Sequence, residues 1–171
     1  MKPLHIFRVF SLLCLASVLA LSQEFSTPRN YAFNTKEDFA KYEPQIIEYT
    51  KYIELAPVND ESNKRKEANA FFMKWLTGAP NVTVEIQPYV MGLTGENASF
   101  LFLFMGGWTR YALEHAGKAD KLQCHLAGVE SILRAYKGGN GVEEDEAVAE
   151  LVELEKSGKL TAWVASQLDQ K

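Results

Sequence analysis

The fold is decided by residues 97–115, which read NASFLFLFMGGWTRYALEH. Asn97 is of a type that caps helix N-termini, and Ser99 is the single polar residue from 98 to 105. A helix that is apolar on all sides has to be buried, so this stretch predicts the central helix of a domain core. Its apolar run, residues 100–108, is far short of the roughly 20 residues that span a membrane.

Two adjacent glycines, Gly106 and Gly107, lie in the middle of this predicted helix. Each costs about 1 kcal/mol of helix stability relative to alanine, so either a close helix crossing or a kink has to explain them. The next helix is expected over residues 120–136. One of its faces carries only small side chains, at Cys124, Gly128, Ser131 and Ala135. We expect this face to contact the glycine pair.

Apolar residues at alternating spacings of three and four predict further helices on both sides. The first follows a cap at Asn34 or Thr35, and Pro44 predicts a kink or a break near residues 40–43. Alternation over residues 82–86 predicts one short strand, which Pro88 would stop. The predicted fold class is therefore mostly α: a single compact domain of five to six helices with at most one or two short strands, around 82–86.

The first 22 residues have the pattern of a secretory signal peptide. Lys2 and Arg8 give a basic start, residues 9–21 form an apolar run, and small residues precede a cut after Ser22. The run is short for a transmembrane helix, and an uncleaved anchor is the alternative. We expect a signal peptide at 1–22, a mobile lead-in at 23–33 and a helical domain at 34–171, with no membrane span after cleavage.

Composition narrows the compartment and the partners. Removing Lys2 and Arg8 leaves 16 basic and 22 acidic residues, a formal charge of −6. Residues 64–66 are the one basic cluster, which disfavours nucleic-acid binding. Cys124 would be the single cysteine of the mature chain, so no internal disulfide is available. An exported protein without disulfides indicates a bacterial source and a periplasmic or secreted location.

Residues 69–80, which read NAFFMKWLTGAP, are followed by Val82, Thr83 and Val84. In this region the chain resembles a family of uncharacterised exported bacterial proteins. The resemblance implies export, and it implies no function that could be assigned to particular residues.

Arg110 is the first candidate binding residue, because a guanidinium on an otherwise apolar helix must be paired or reach an edge. One interpretation is an ion pair with Glu114, four residues further on. The other is a clamp for an anion or carboxylate between helices, formed by Arg110 with Trp108, Tyr111 and His115.

Two further hypotheses use the cysteine and histidines. Cys124 with His115 or His125 could form the nucleophile and base of a small hydrolase or thiol enzyme, although the small-residue face favours a buried, inert thiol. The same side chains with Glu114 could bind a metal, but they lack a recognised ligand spacing. Neither arrangement converges on a catalytic pattern, and no cofactor motif occurs. The sequence therefore favours a non-enzymatic binding or interaction module of the cell envelope. Its partner would be an unknown protein or a small anionic ligand, and pairing of strand 82–86 would give a homodimer.

Overall fold

The computed structural model describes residues 25–58, 63–94, 97–139 and 141–169; the predicted signal peptide lies outside them. The described residues form seven helices and no strand. This confirms the predicted mostly α single domain, with one helix more than expected. The helices are α1 (Lys36–Leu55), α2 (Asn63–Gly78), α3 (Pro88–Thr94), α4 (Ala98–Glu114), α5 (Lys121–Lys137), α6 (Glu146–Lys156) and α7 (Leu160–Leu168).

Helix α4 lies at the centre and crosses α5 very closely. A Cβ atom added to Gly107 would lie 2.3 Å from the Ala127 carbonyl oxygen and 2.6 Å from Cβ of Ser131. A Cβ added to Gly128 would lie 2.6 Å from the Phe104 ring. The predicted contact between the glycine pair and the small-residue face of the next helix is therefore confirmed.

The two glycines of α4 face different neighbours. Gly107 contacts α5, whereas Gly106 lies against α1, where its Cβ would be 3.2 Å from Cδ1 of Ile53. The Thr50 hydroxyl donates a hydrogen bond to the Gly106 carbonyl oxygen at 3.1 Å. One glycine pair thus allows the central helix to approach two neighbours.

Helix α1 begins at the predicted position and continues through its proline. Thr35 caps it in a reciprocal capping box with Asp38. Pro44 lies inside an uninterrupted helix, so the predicted break near 40–43 does not occur. A proline in a helix costs about 3 kcal/mol. The fully buried residues Ile46 and Ile53 on the same helix offset much of this cost, since each buried side chain of this size contributes about 1.5–3 kcal/mol.

The predicted strand is an extended connection. Val82 is buried and Thr83 exposed, as alternation requires, but residues 82–86 pair with no strand among the described residues. Pro88 is the first residue of α3, the helix that the sequence analysis missed. Proline is favoured at the first helical position, where its missing N–H is not needed.

The N-terminal stretch expected to be a mobile lead-in packs on the helices from residue 25 onward. Phe25 is buried and stacks on Tyr52 of α1 with ring centroids 5.3 Å apart. Tyr31 meets Phe71 of α2 edge-on at 4.9 Å. Aromatic contacts of this kind contribute about 0.5–1.5 kcal/mol each beyond their burial, so this stretch is attached along its length.

Candidate functional site

Arg110 reaches α1 rather than the predicted partner Glu114. Its Nη1 atom lies 3.3 Å from Oε2 of Glu54, and Nη2 of Arg134 lies 2.8 Å from the other carboxylate oxygen. Glu54 is 7% exposed and joins α1, α4 and α5 through these contacts. The anion held by Arg110 is thus a carboxylate of the chain itself, which gives this cluster a structural role.

The other predicted clamp residues lie apart from this ion pair. Trp108 is buried in the core, where its ring meets His125 edge-on with centroids 4.6 Å apart. His115 lies at the exposed end of α4 and stacks on Tyr111 at 4.0 Å. Arg110, Trp108 and the Tyr111–His115 stack therefore contact different neighbours, and the structure does not bring them into one cleft.

His125 is fully buried among aromatic rings. The Tyr89 hydroxyl lies 2.7 Å from its Nδ1 atom, and Phe104 and Trp108 flank its ring. Burial lowers the pKa of His125 from 6.5 to about 4, so the ring is neutral near pH 7. In the neutral ring the hydroxyl donates to Nδ1 and the proton lies on Nε2. This Nε2 atom has no hydrogen-bond partner within the described part of the chain.

Cys124 has the environment of an inert thiol. It is 4% exposed on the face of α5 that packs in the core. Burial, and then the negative charges of Asp120 and Glu85, raise its pKa from 9.0 to about 11. A nucleophilic cysteine needs a lowered pKa, so this environment opposes the thiolate that the thiol-enzyme hypothesis requires. In the ranges that the structure describes, no three His, Cys, Asp or Glu side chains are grouped so that they could hold a metal ion.

A groove between the N-terminal stretch and α2 is the strongest candidate for a binding site. It encloses a volume of about 550 Å³. Residues 25–29 and Tyr31 form one wall, and Lys64, Glu67 and Ala70 form the other. Asn30 has a φ of 57°, which turns the chain in the left-handed conformation that asparagine tolerates better than most residues. This turn lies between two lining residues, Arg29 and Tyr31.

Aromatic rings hold the lysines around this groove. The Lys64 ammonium lies 5.4 Å from the centroid of Tyr52, the ring on which Phe25 stacks. The Lys74 ammonium lies 5.1 Å from the centroid of Tyr31. Cation–π contacts at such distances contribute about 0.5–1 kcal/mol at exposed sites. These ammonium groups are therefore positioned by packing before any ligand arrives.

No family model matches the chain. The searches of curated proteins and of solved structures give no match either. The resemblance to exported bacterial proteins stays a prediction, and a function has to be argued from the site itself. Among the described residues, none of the helices has both the length and the apolarity needed to cross a membrane.

The groove residues Arg29, Tyr31 and Lys64 were missed because they are 35 residues apart in sequence, from 29 to 64, and share no motif. One signal was present: a supposedly mobile segment contains Phe25, Tyr31 and Phe33 within nine residues. Large aromatic side chains are rarely left in water, and their density could have predicted that the segment packs on the domain.

Proposed function

We propose that the chain is an exported, non-enzymatic helical protein, periplasmic or secreted, that binds a small organic anion in the N-terminal groove. The observation that supports the proposal is the cluster of cations at this groove. Arg29 and Lys64 line it, and Lys74 is held over the lining residue Tyr31. Glu67 is the acidic lining residue.

The charge of the whole protein makes this local excess of cations significant. The chain has a formal charge of −4, so its average field repels anions. An anion would be attracted only where basic side chains outnumber acidic ones, as they do here. The volume of about 550 Å³ lies within the range of roughly 300–1,000 Å³ that small-molecule sites occupy.

A binding role fits the location of the perturbed groups better than catalysis does. The pKa values of Tyr89, Cys124 and His125 are shifted by burial in the core, and none of these side chains lines the groove. Acid–base catalysis needs a titratable group within reach of the substrate. The thiol-enzyme and metal-binding hypotheses therefore have weaker physical support than a ligand site.

Isothermal titration with citrate and with inorganic phosphate tests the ligand class. Arg29→Gln and Lys64→Gln should each weaken anion binding about 5-fold, which corresponds to about 1 kcal/mol for an exposed charge. Glu67→Gln should strengthen it by a similar factor, because it removes a repelling carboxylate from the wall. Lys156→Gln, on α6, is the matched control and should leave binding unchanged.

The sign of the Glu67→Gln effect separates this proposal from its alternatives. Weaker binding after Glu67→Gln would indicate a cationic ligand and overturn the assignment. Equal losses in Lys156→Gln and Lys64→Gln would show attraction by general charge and no site. Export is tested separately by expressing the full chain in a bacterium and sequencing the N-terminus of the periplasmic product, which should begin at Gln23. Retention of the uncleaved chain in the cytoplasm would refute export.

A further inference from the structure

Residues 81–94, hereafter the strap, are an extended segment followed by the short helix α3. Two polar contacts fasten the strap to α5. The Tyr89 hydroxyl bonds to Nδ1 of His125, and the Glu85 carboxylate lies 2.5 Å from the Lys121 ammonium. Tyr89 also meets Trp163 of α7 edge-on at 5.4 Å. The strap thus depends on one buried imidazole and one exposed ion pair for its polar attachment to α5.

The buried imidazole cannot gain a proton without losing favourable contacts. In the neutral ring Nδ1 accepts from Tyr89, and Nε2–H already has no acceptor in the described structure. A proton on Nδ1 would convert both ring nitrogens into donors and place a positive charge among Phe104 and Trp108. A buried charge without a partner is strongly unfavourable.

We propose that residues 81–94 are an acid-released strap, in which protonation of His125 breaks the attachment of Tyr89 and α3 to α5 while the rest of the domain stays folded. Release would open a path from water to the imidazole, so the charged ring becomes hydrated. It would also uncover the rings of Trp108 and Trp163. The proposal is independent of the groove and of its ligand.

The charged and titratable groups around His125 determine how complete this response is. Helices α4 and α7 present only the uncharged rings of Phe104, Trp108 and Trp163 near the Tyr89–His125 pair. The titratable groups near the imidazole come from the strap and from α5, and they are Glu85, Tyr89, Lys121 and Cys124. Lys121 opposes a second positive charge, and Glu85 is occupied by Lys121. No carboxylate is therefore free to compensate an imidazolium in the closed strap.

The pKa of His125 gives the pH range and the size of the effect. In the closed strap it is lowered to about 4, whereas an exposed histidine has a value of 6.5. The closed form is thus fully favoured above pH 6.5 and loses stability as the pH falls toward 4. With these two values the opening equilibrium should increase about 20-fold from pH 7 to pH 5 and about 100-fold from pH 7 to pH 4.

Hydrogen exchange read by mass spectrometry tests the strap directly. Protection factors, corrected for the intrinsic exchange rate at each pH, should fall by these factors for the amides of α3. The amides of α4 should keep their protection over the same range. His125→Phe fills the aromatic site without a titratable group, and it should abolish the pH dependence of α3. Glu85→Gln is the matched control; it weakens the attachment at every pH but should retain the dependence on His125.

Two results would overturn the proposal. One is equal loss of protection in α3 and α4, which would show global unfolding in acid. The other is an unchanged pH dependence of α3 in His125→Phe. If that variant does not fold, an NMR titration of the His125 ring in the unmodified protein decides the matter. A measured pKa well below 6.5 supports the strap, and a value near 6.5 refutes it.

Discussion

Substituting Gly107 by alanine tests the closest contact in the core. The added Cβ would lie 2.3 Å from the Ala127 carbonyl oxygen, where almost no natural Cβ approaches within 3.0 Å. The obstacle is backbone of a neighbouring helix, and it cannot turn aside as a side chain can. The helices α4 and α5 would have to move apart by about 1 Å to restore ordinary contact.

The expected magnitude is a balance of two effects. Alanine gains about 1 kcal/mol over glycine in a helix interior. Overpacking a filled core costs about 1–3 kcal/mol, and more where the neighbour is rigid. The separation would also loosen the Gly128–Phe104 contact of the same crossing, where an added Cβ would lie 2.6 Å from the ring. We expect Gly107→Ala to lower the free energy of unfolding by about 2 kcal/mol or more.

Two other glycines provide matched controls for the same chemical change. At Gly106 the nearest atom to an added Cβ is Cδ1 of Ile53 at 3.2 Å, the movable end of a side chain, and Gly106→Ala should be nearly neutral. At Gly92 of α3 no atom lies within 4 Å, so Gly92→Ala should stabilise by up to about 1 kcal/mol. Urea unfolding followed by circular dichroism measures all three. Equal stability of Gly107→Ala and Gly106→Ala would refute the close crossing.

Three further expectations concern a buried charge, the thiol and a helix cap. Glu54→Gln should lower the free energy of unfolding by about 2–3 kcal/mol, because two guanidinium groups lose their carboxylate, whereas Glu48→Gln in an exposed pair should cost under about 0.5 kcal/mol. A similar small loss in both variants would contradict a structural role for the cluster. At pH 8 a disulfide reagent should modify Cys124 at least about 100-fold more slowly in the folded than in the unfolded protein, since burial raises its pKa from 9.0 to about 11; fast modification would revive the thiol-enzyme hypothesis. Thr35→Ala should destabilise the protein by about 1 kcal/mol through loss of the α1 capping box, and unchanged urea unfolding would show that the cap contributes nothing.

Local patterns predicted most of the helices and their buried faces. Side chains at spacings of three and four share one face of a helix regardless of what that face contacts. The same reasoning located Thr35 as a cap and placed the small face of α5 against Gly107. It failed at α3, because Pro88 fits both the end of a strand and the first turn of a helix.

Long-range partners were beyond sequence reasoning. Glu54 is 56 residues from Arg110 and 80 from Arg134, and nothing in their spacing joins them. The predicted Glu114 is the closer residue in sequence, but the orientation of Arg110 around the helix turns it toward α1. His125 was considered only as a partner for the neighbouring cysteine, whereas its hydrogen-bond partner Tyr89 belongs to the helix that was missed.

By itself the sequence determined that this chain forms a helical domain around one apolar helix, because the pattern of apolar and small residues requires that helix to be buried and closely approached. It also predicted export from the first 22 residues, a prediction that the described structure leaves untested. Only the tertiary structure decided that Glu54 neutralises Arg110, that Tyr89 bonds to His125, and that Arg29 and Lys64 share a groove. The physical reason is that helix faces follow from local geometry, whereas the partner of a charge or a ring nitrogen depends on how distant helices pack.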